Sequence, residues 1–234
     1  MAAVLPLTFD SSRPIGPLEE DETCTFGPKT VRFDAKKSTG YTHGMQLTAL
    51  GNEPEKHHVF SLKLTGLKQE YGFNAVAVVM DKFDGLRSQD DMFRKERGAA
   101  HNHGLWICSQ FTCPWPNTLM TLVVSPGDSN VDVFVEPTQD AGVSDSSKKR
   151  KHEEHYGIDA MPYMPKDETD LWTDLGDGLK CRSFKADFMA GKMPNIGVKL
   201  CGCIGNRAEI VSPSQRAVAA IKIKKDAASL VLYK

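Results

Sequence analysis

Leu119-Met120-Thr121-Leu122-Val123-Val124, then Ser125-Pro126-Gly127-Asp128-Ser129-Asn130, then Val131-Asp132-Val133-Phe134-Val135: two apolar runs separated by turn-forming residues set the reading of this chain. Each run is too short for a stable helix and is rich in residues that suit a pleated surface, while Pro, Gly, Asp, Ser and Asn between them favour chain reversal. The segment predicts an antiparallel hairpin, and the rest of the sequence repeats the pattern of short apolar runs ended by turn residues.

Val59–Thr65 alternates polar and apolar residues and stops at Gly66, as expected of a half-exposed strand. Phe73–Met80 is nearly all apolar, as expected of a central strand covered on both faces. Lys29–Phe33, Met45–Leu50, Leu105–Phe111, Gly197–Cys201, Ala217–Ile223 and Ser229–Tyr233 extend the series of candidate strands. Two short helices are expected, Gln89–Arg97 ending at Gly98 and Ser183–Ala190 ending at Gly191. Without regular helical crossovers the strands predict a mainly β fold, an antiparallel barrel or sandwich of OB-like or jelly-roll-like type. Residues 1–234 are expected to form a single β-rich domain. From Pro137 to Tyr156 the chain carries almost nothing to bury and is expected to be a disordered loop.

Composition bounds the class of protein. With 40% hydrophobic and 25% charged residues the 234-residue chain has the balance of an ordinary globular protein. It has no apolar run of spanning length, and Met1–Pro6 lacks the features of a secretory leader, so no membrane partner is expected and the location expected is nucleus or cytoplasm. Six scattered cysteines with apolar neighbours fit reduced, buried thiols better than a disulfide framework.

The net charge of -1 conceals asymmetry: acidic residues gather at Glu19–Glu22 and between Glu153 and Asp177, while the C-terminal part is basic. Ile221-Lys222-Ile223-Lys224, read as a strand, places both lysines on one face. Joined by Lys63, Lys199 and Arg207, these lysines could line a groove that follows a sugar-phosphate backbone, with Phe60, Tyr71 and Trp106 as stacking platforms for bases. Single-stranded DNA or RNA is therefore the first partner expected. Lys148-Lys149-Arg150-Lys151 resembles the basic clusters read by nuclear import receptors, a second expected partner.

Two other classes compete with that expectation. Many short strands joined by loops also suit a structural or assembly protein, such as a jelly-roll subunit of a viral shell, for which the partner is a homo-oligomer. His101, His103, Cys108 and Cys113 are of metal-ligand type and would suit zinc, making a metal- or cysteine-dependent enzyme the third reading, but their spacing matches no common zinc motif. No nucleophile elbow, phosphate-binding glycine loop or helix-borne metal motif is present, so neither catalysis nor a cofactor is expected.

Overall fold

The computed structural model describes residues 4–15, 24–33, 42–65, 75–80, 104–108, 117–138, 172–201 and 207–234. In chain order the strands are β1 (Val4–Leu5), β2 (Phe9–Ile15), β3 (Cys24–Phe26), β4 (Thr30–Phe33), β5 (Thr42–Leu47), β6 (His57–Thr65), β7 (Ala75–Met80) and β8 (Gly104–Cys108). They continue with β9 (Thr118–Ser125), β10 (Asn130–Pro137), β11 (Thr173–Asp174), β12 (Lys180–Lys185), β13 (Asn195–Cys201), β14 (Arg207–Val211) and, after helix α1 (Gln215–Lys224), β15 (Leu230–Tyr233).

The expected hairpin is β9 with β10, in register from Ser125↔Asn130 to Thr118↔Pro137. Strand pairing thus extends through Pro137, the first residue of the segment expected to be a loop, and Gln139–Tyr156 lie outside the described residues. At the reversal Gly127 donates to the carbonyl of Pro54 at 2.8 Å, and a Cβ there would stand 3.1 Å from the same oxygen, so the close approach selects glycine.

The strands form two sheets, one of ten strands and one of five. In the larger, the path is β11-β12-β10-β9-β6-β14-β4-β3, and β15 lies parallel to β6 on one side and to β1 on the other. The smaller runs β2-β5-β13-β7-β8. Both sheets contribute to one apolar core: Phe60, Leu62, Met120, Leu122, Val131 and Val133 from the larger meet Phe9, Met45, Leu47, Leu105, Ile107 and Val198 from the smaller. The described structure contains no closed barrel.

The pairings nest. Of the eight strands β4–β9, β13 and β14, the first pairs with the last, the second with the seventh, the third with the sixth and the fourth with the fifth, all antiparallel. The eighth and third, and the seventh and fourth, then join these pairs into sheets.

Three sequence expectations are corrected. Ala217–Ile223 lies within helix α1 rather than in a strand, because Ser214 caps a run of good helix formers: its side chain accepts from the Ala217 N–H at 3.0 Å. Ser183–Ala190 is not helical; Lys180–Lys185 pairs with β10 as β12, and turns follow. Strand β6 is not half exposed, since Val59, Phe60, Ser61 and Leu62 are all buried. Phe60, Leu62 and Leu64 enter the core between the sheets, and α1 shields the opposite face, where Ile221 packs with Val59, Val123, Phe134, Leu179, Cys181 and Leu230. The expected helix at Gln89–Arg97 lies outside the described residues. Strand β7 does occupy an interior position, between β13 and β8.

Candidate interaction surface

The core between the two sheets is lined by apolar side chains, a few polar residues such as His58, Ser61 and Thr121 are buried in hydrogen-bonded pairs, and the exposed charged groups of the described structure sit on its outer faces and in its loops. Helix α1 is the main feature of the larger sheet's outer face. It is held at both ends by charged groups. At its start the Ser214 hydroxyl donates to Glu136 of β10, and Arg216 approaches the other oxygen of the same carboxylate at 3.2 Å. Arg216 also donates to the backbone carbonyl of Asp177 at 3.0 Å, tying the helix to the β11–β12 loop.

At the far end Lys225, the C-cap residue, lies 2.9 Å from Asp128 in the β9–β10 turn. That ammonium donates to the carboxylate and holds it below the usual aspartate range. His57 approaches the same group: its Nδ1 is 2.8 Å from the Ser125 hydroxyl and 3.9 Å from Asp128. Burial, followed by the charge of Lys225, lowers the affinity of His57 for a proton. Between the two anchors, Lys224 donates to the sulfur of Cys181 at 3.3 Å and stands 5.7 Å from the Phe134 ring centre. Burial pushes the Cys181 thiol up more than the neighbouring ammonium draws it down.

The outward side of the helix differs from both expected faces of an Ile-Lys strand. Ile221 is 1% exposed and Ile223 is 87% exposed, because two residues advance a helix by about 200°, which reverses their direction. Lys222 lies exposed beside Ile223, and among the described residues it has no ion pair. Beyond the N-terminal end of α1, the row Glu136–Leu119–Lys63–Glu209–Thr30 crosses the larger sheet in register. The next row on that face carries Thr65, Arg207, Arg32 and Thr25. Two of the basic residues singled out in the sequence, Lys63 and Arg207, are therefore neighbours on adjacent strands, with Arg32 beside them. Arg207 is 3.2 Å from Glu209.

The single basic face expected from sequence is divided. Lys222 and Lys224 lie on α1, Lys63 and Arg207 lie past its N-terminal end, and Lys199 belongs to β13 of the other sheet. Phe60 is fully buried between the sheets and cannot offer its ring to a base, a correction that follows from the helix covering one face of β6 and the core the other. Trp106 and Cys108 lie on β8 of the smaller sheet. Tyr71, His101, His103, Cys113 and the Lys148–Lys151 cluster lie outside the described residues. Among the described residues no group of three or more His, Cys, Asp or Glu side chains is arranged to hold a metal, and no helix is long and apolar enough to cross a membrane.

Sequence reasoning counted Arg216 and Lys225 only as part of the basic C-terminal stretch and read Ile223 as sharing a strand face with Ile221, so it missed the anchoring of the helix by the first two and the exposure of the third, and it did not single out Leu175. The proline and serine of Pro213-Ser214 were the available signal for a helix start there. No protein-family model matches the chain, and no curated protein matches it.

Proposed function

We propose that this chain is a structural subunit, a jelly roll that works by assembling with other copies. The observation that carries the reading is the nested pairing of β4–β9, β13 and β14, the wrapping of eight strands into two sheets that recurs in shell proteins. Jelly rolls also serve as lectins and as metal enzymes, so the fold alone does not choose among them. The cluster between the sheets is apolar, so a partner of the described chain is met on its outer surfaces, as assembly requires. Light scattering of nucleic-acid-free protein eluting from a sizing column tests this. Species heavier than the 25.8 kDa chain are expected, and a monomer at every concentration and ionic strength overturns the reading.

A second reading, nucleic-acid binding, is favoured by the placement of Lys63, Arg207 and Arg32 on one face of β6, β14 and β4. Such a patch would meet phosphates rather than stack bases. Binding of labelled oligonucleotides should then fall steeply with salt and vary little with sequence, and Arg207→Glu should weaken it for all sequences alike. Affinity that is indifferent to salt removes this reading.

A further inference from the structure

Asp177 stands in the tight reversal between β11 and β12, where Gly176, Asp177 and Gly178 have φ of 89°, 49° and 78°. The flanking glycines take left-handed backbone freely, whereas Asp177 must hold a Cβ there. The reversal is closed by Leu179 donating to the Gly176 carbonyl at 2.9 Å and Leu175 donating to the Leu179 carbonyl at 2.8 Å. Asp174 accepts the Gly176 N–H at 2.8 Å. These bonds hold the ends of the loop and leave its middle open. Among the described residues neither the Gly178 N–H nor the carboxylate of the exposed Asp177 has a hydrogen-bond or ion-pair partner.

The contact that the described structure gives to the Asp177–Gly178 peptide group is at its oxygen. Arg216 donates to the Asp177 carbonyl at 3.0 Å. Oxygen and nitrogen of a peptide share one delocalised system, so a permanently charged guanidinium on the oxygen draws electron density from the nitrogen and makes its N–H a better acid. That nitrogen belongs to Gly178, which has no side chain to obstruct its approach to a carbonyl carbon. The nearest such carbon is Asp177 Cγ, and bonding to it closes a succinimide ring.

We propose that the Asp177–Gly178 peptide is a self-modification site, at which the backbone rearranges to isoaspartate with the assistance of Arg216. The Gly178 nitrogen bonds to Asp177 Cγ, and one carboxylate oxygen leaves as water with the proton of that nitrogen and one from solvent. Water then adds to the backbone carbonyl carbon of Asp177, whose bond to nitrogen breaks. The nitrogen takes one proton of this water, and the new carboxylic acid releases the other. Neither oxidant nor co-reactant is needed. The rearranged chain runs through Cβ and is freed from the left-handed conformation that a Cβ-bearing residue resists. The oxygen held by Arg216 then belongs to a carboxylate, which competes with Glu136 for the guanidinium at the start of α1. The site stands apart from both readings of function.

The experiment keeps the full chain folded in water enriched in heavy oxygen, digests it in ordinary water and fragments the peptide spanning Asp177–Gly178 by electron transfer, which distinguishes the two linkages. Heavy oxygen and the isoaspartate linkage should accumulate together with time. Asp177→Asn should convert faster, since the same ring closure then expels ammonia. Arg216→Ala should slow conversion several-fold in the folded chain and leave it unchanged in urea, where the guanidinium no longer meets the loop. Mere loosening of the loop would accelerate conversion instead, so the direction of the change separates the two effects. A folded parent that takes up no heavy oxygen at this peptide overturns the proposal, whether or not the urea-unfolded chain does. Conversion in Arg216→Ala as fast as in the parent, or faster, overturns the part assigned to Arg216.

Discussion

The Nδ1 of His58 lies 2.9 Å from the hydroxyl of Tyr233, joining two residues 175 positions apart in the chain. The same hydroxyl accepts the Gly51 N–H at 2.8 Å, and His58 Nε2 is 2.9 Å from the carbonyl of Glu53. Only one assignment satisfies every group: a neutral imidazole protonated on Nε2 donates to Glu53, and the tyrosine hydroxyl donates to Nδ1. Burial lowers the affinity of His58 for a proton accordingly. The imidazole thus knits β6, β15 and the turn before β6 into one unit.

The pH dependence of stability follows from that state. A histidine whose folded proton affinity is lowered leaves the unfolded chain binding more protons, so stability rises with pH. Both His57 and His58 are lowered from 6.5. Stability should be fully developed above that value and should fall as pH drops through and below it. Urea unfolding at a series of pH values checks this, and a midpoint that rises on acidification from about pH 7 to about pH 5.5, the window in which an ordinary histidine titrates, contradicts it.

Tyr233→Phe deletes the shared hydroxyl and leaves the buried His58 Nδ1 and the half-buried Gly51 N–H without their partner. The expected loss is about 1–3 kcal/mol, the usual cost of an unpaired buried polar group. Chemical denaturation measures it. A loss below about 0.5 kcal/mol, the scatter of neutral surface changes, would show that the network contributes little.

Ile221 and Ile223 provide a paired test of helix α1. Ile221→Ala should cost about 2–5 kcal/mol, as for other buried isoleucines, whereas Ile223→Ala in dilute protein should stay within about 0.5 kcal/mol. A strand would put both side chains on one face and give them similar costs. Thermal unfolding of the two variants side by side decides the matter.

Ser214→Ala should destabilise by about 1 kcal/mol, the common value for a lost N-cap, and should speed amide exchange at Ala217. Its hydroxyl also donates to Glu136, so Glu136→Gln should keep much of the cap while weakening the approach of Arg216. Hydrogen exchange followed by mass spectrometry, resolved to the helix, distinguishes the two effects.

Cys181 is buried and its thiol is held protonated, so alkylation should be slow in the native protein despite the lysine at its sulfur. Peptide mapping after timed exposure to iodoacetamide would follow this one cysteine. The rate should rise in Ser214→Ala as the helix opens more often. Equal rates in native and urea-unfolded protein would contradict the burial.

Much of the sheet structure could be read locally. Leu119–Val135 announces its hairpin because apolar runs and turn residues agree, and Val59–Thr65 is a strand of nearly the expected extent. Ala217–Ile223 misleads because a short apolar run fits both a period of 2 and a period of 3.6, and Ile-Lys-Ile-Lys offers too few residues to choose. Phe184 and Phe188 have helical spacing, but pairing of Lys180–Lys185 with β10 overrides local preference. Of the candidate site, the neighbours Lys63 and Arg207 were legible as residues but not as neighbours. Their proximity depends on β14 returning to β6, and no local pattern specifies which distant strands meet.

The nesting of strands also governs how quickly this protein can form. Strand β4 waits for β14, and β6 completes its second edge only when β14 and β15 arrive. The central strand must therefore remain with an open edge while distant parts of the chain search for it. Chains dominated by such remote contacts reach the native state in milliseconds to seconds rather than microseconds, and exposed edges during that interval favour intermolecular association. Folding yield at high concentration is thus set by how fast the outermost partners in the nest find each other.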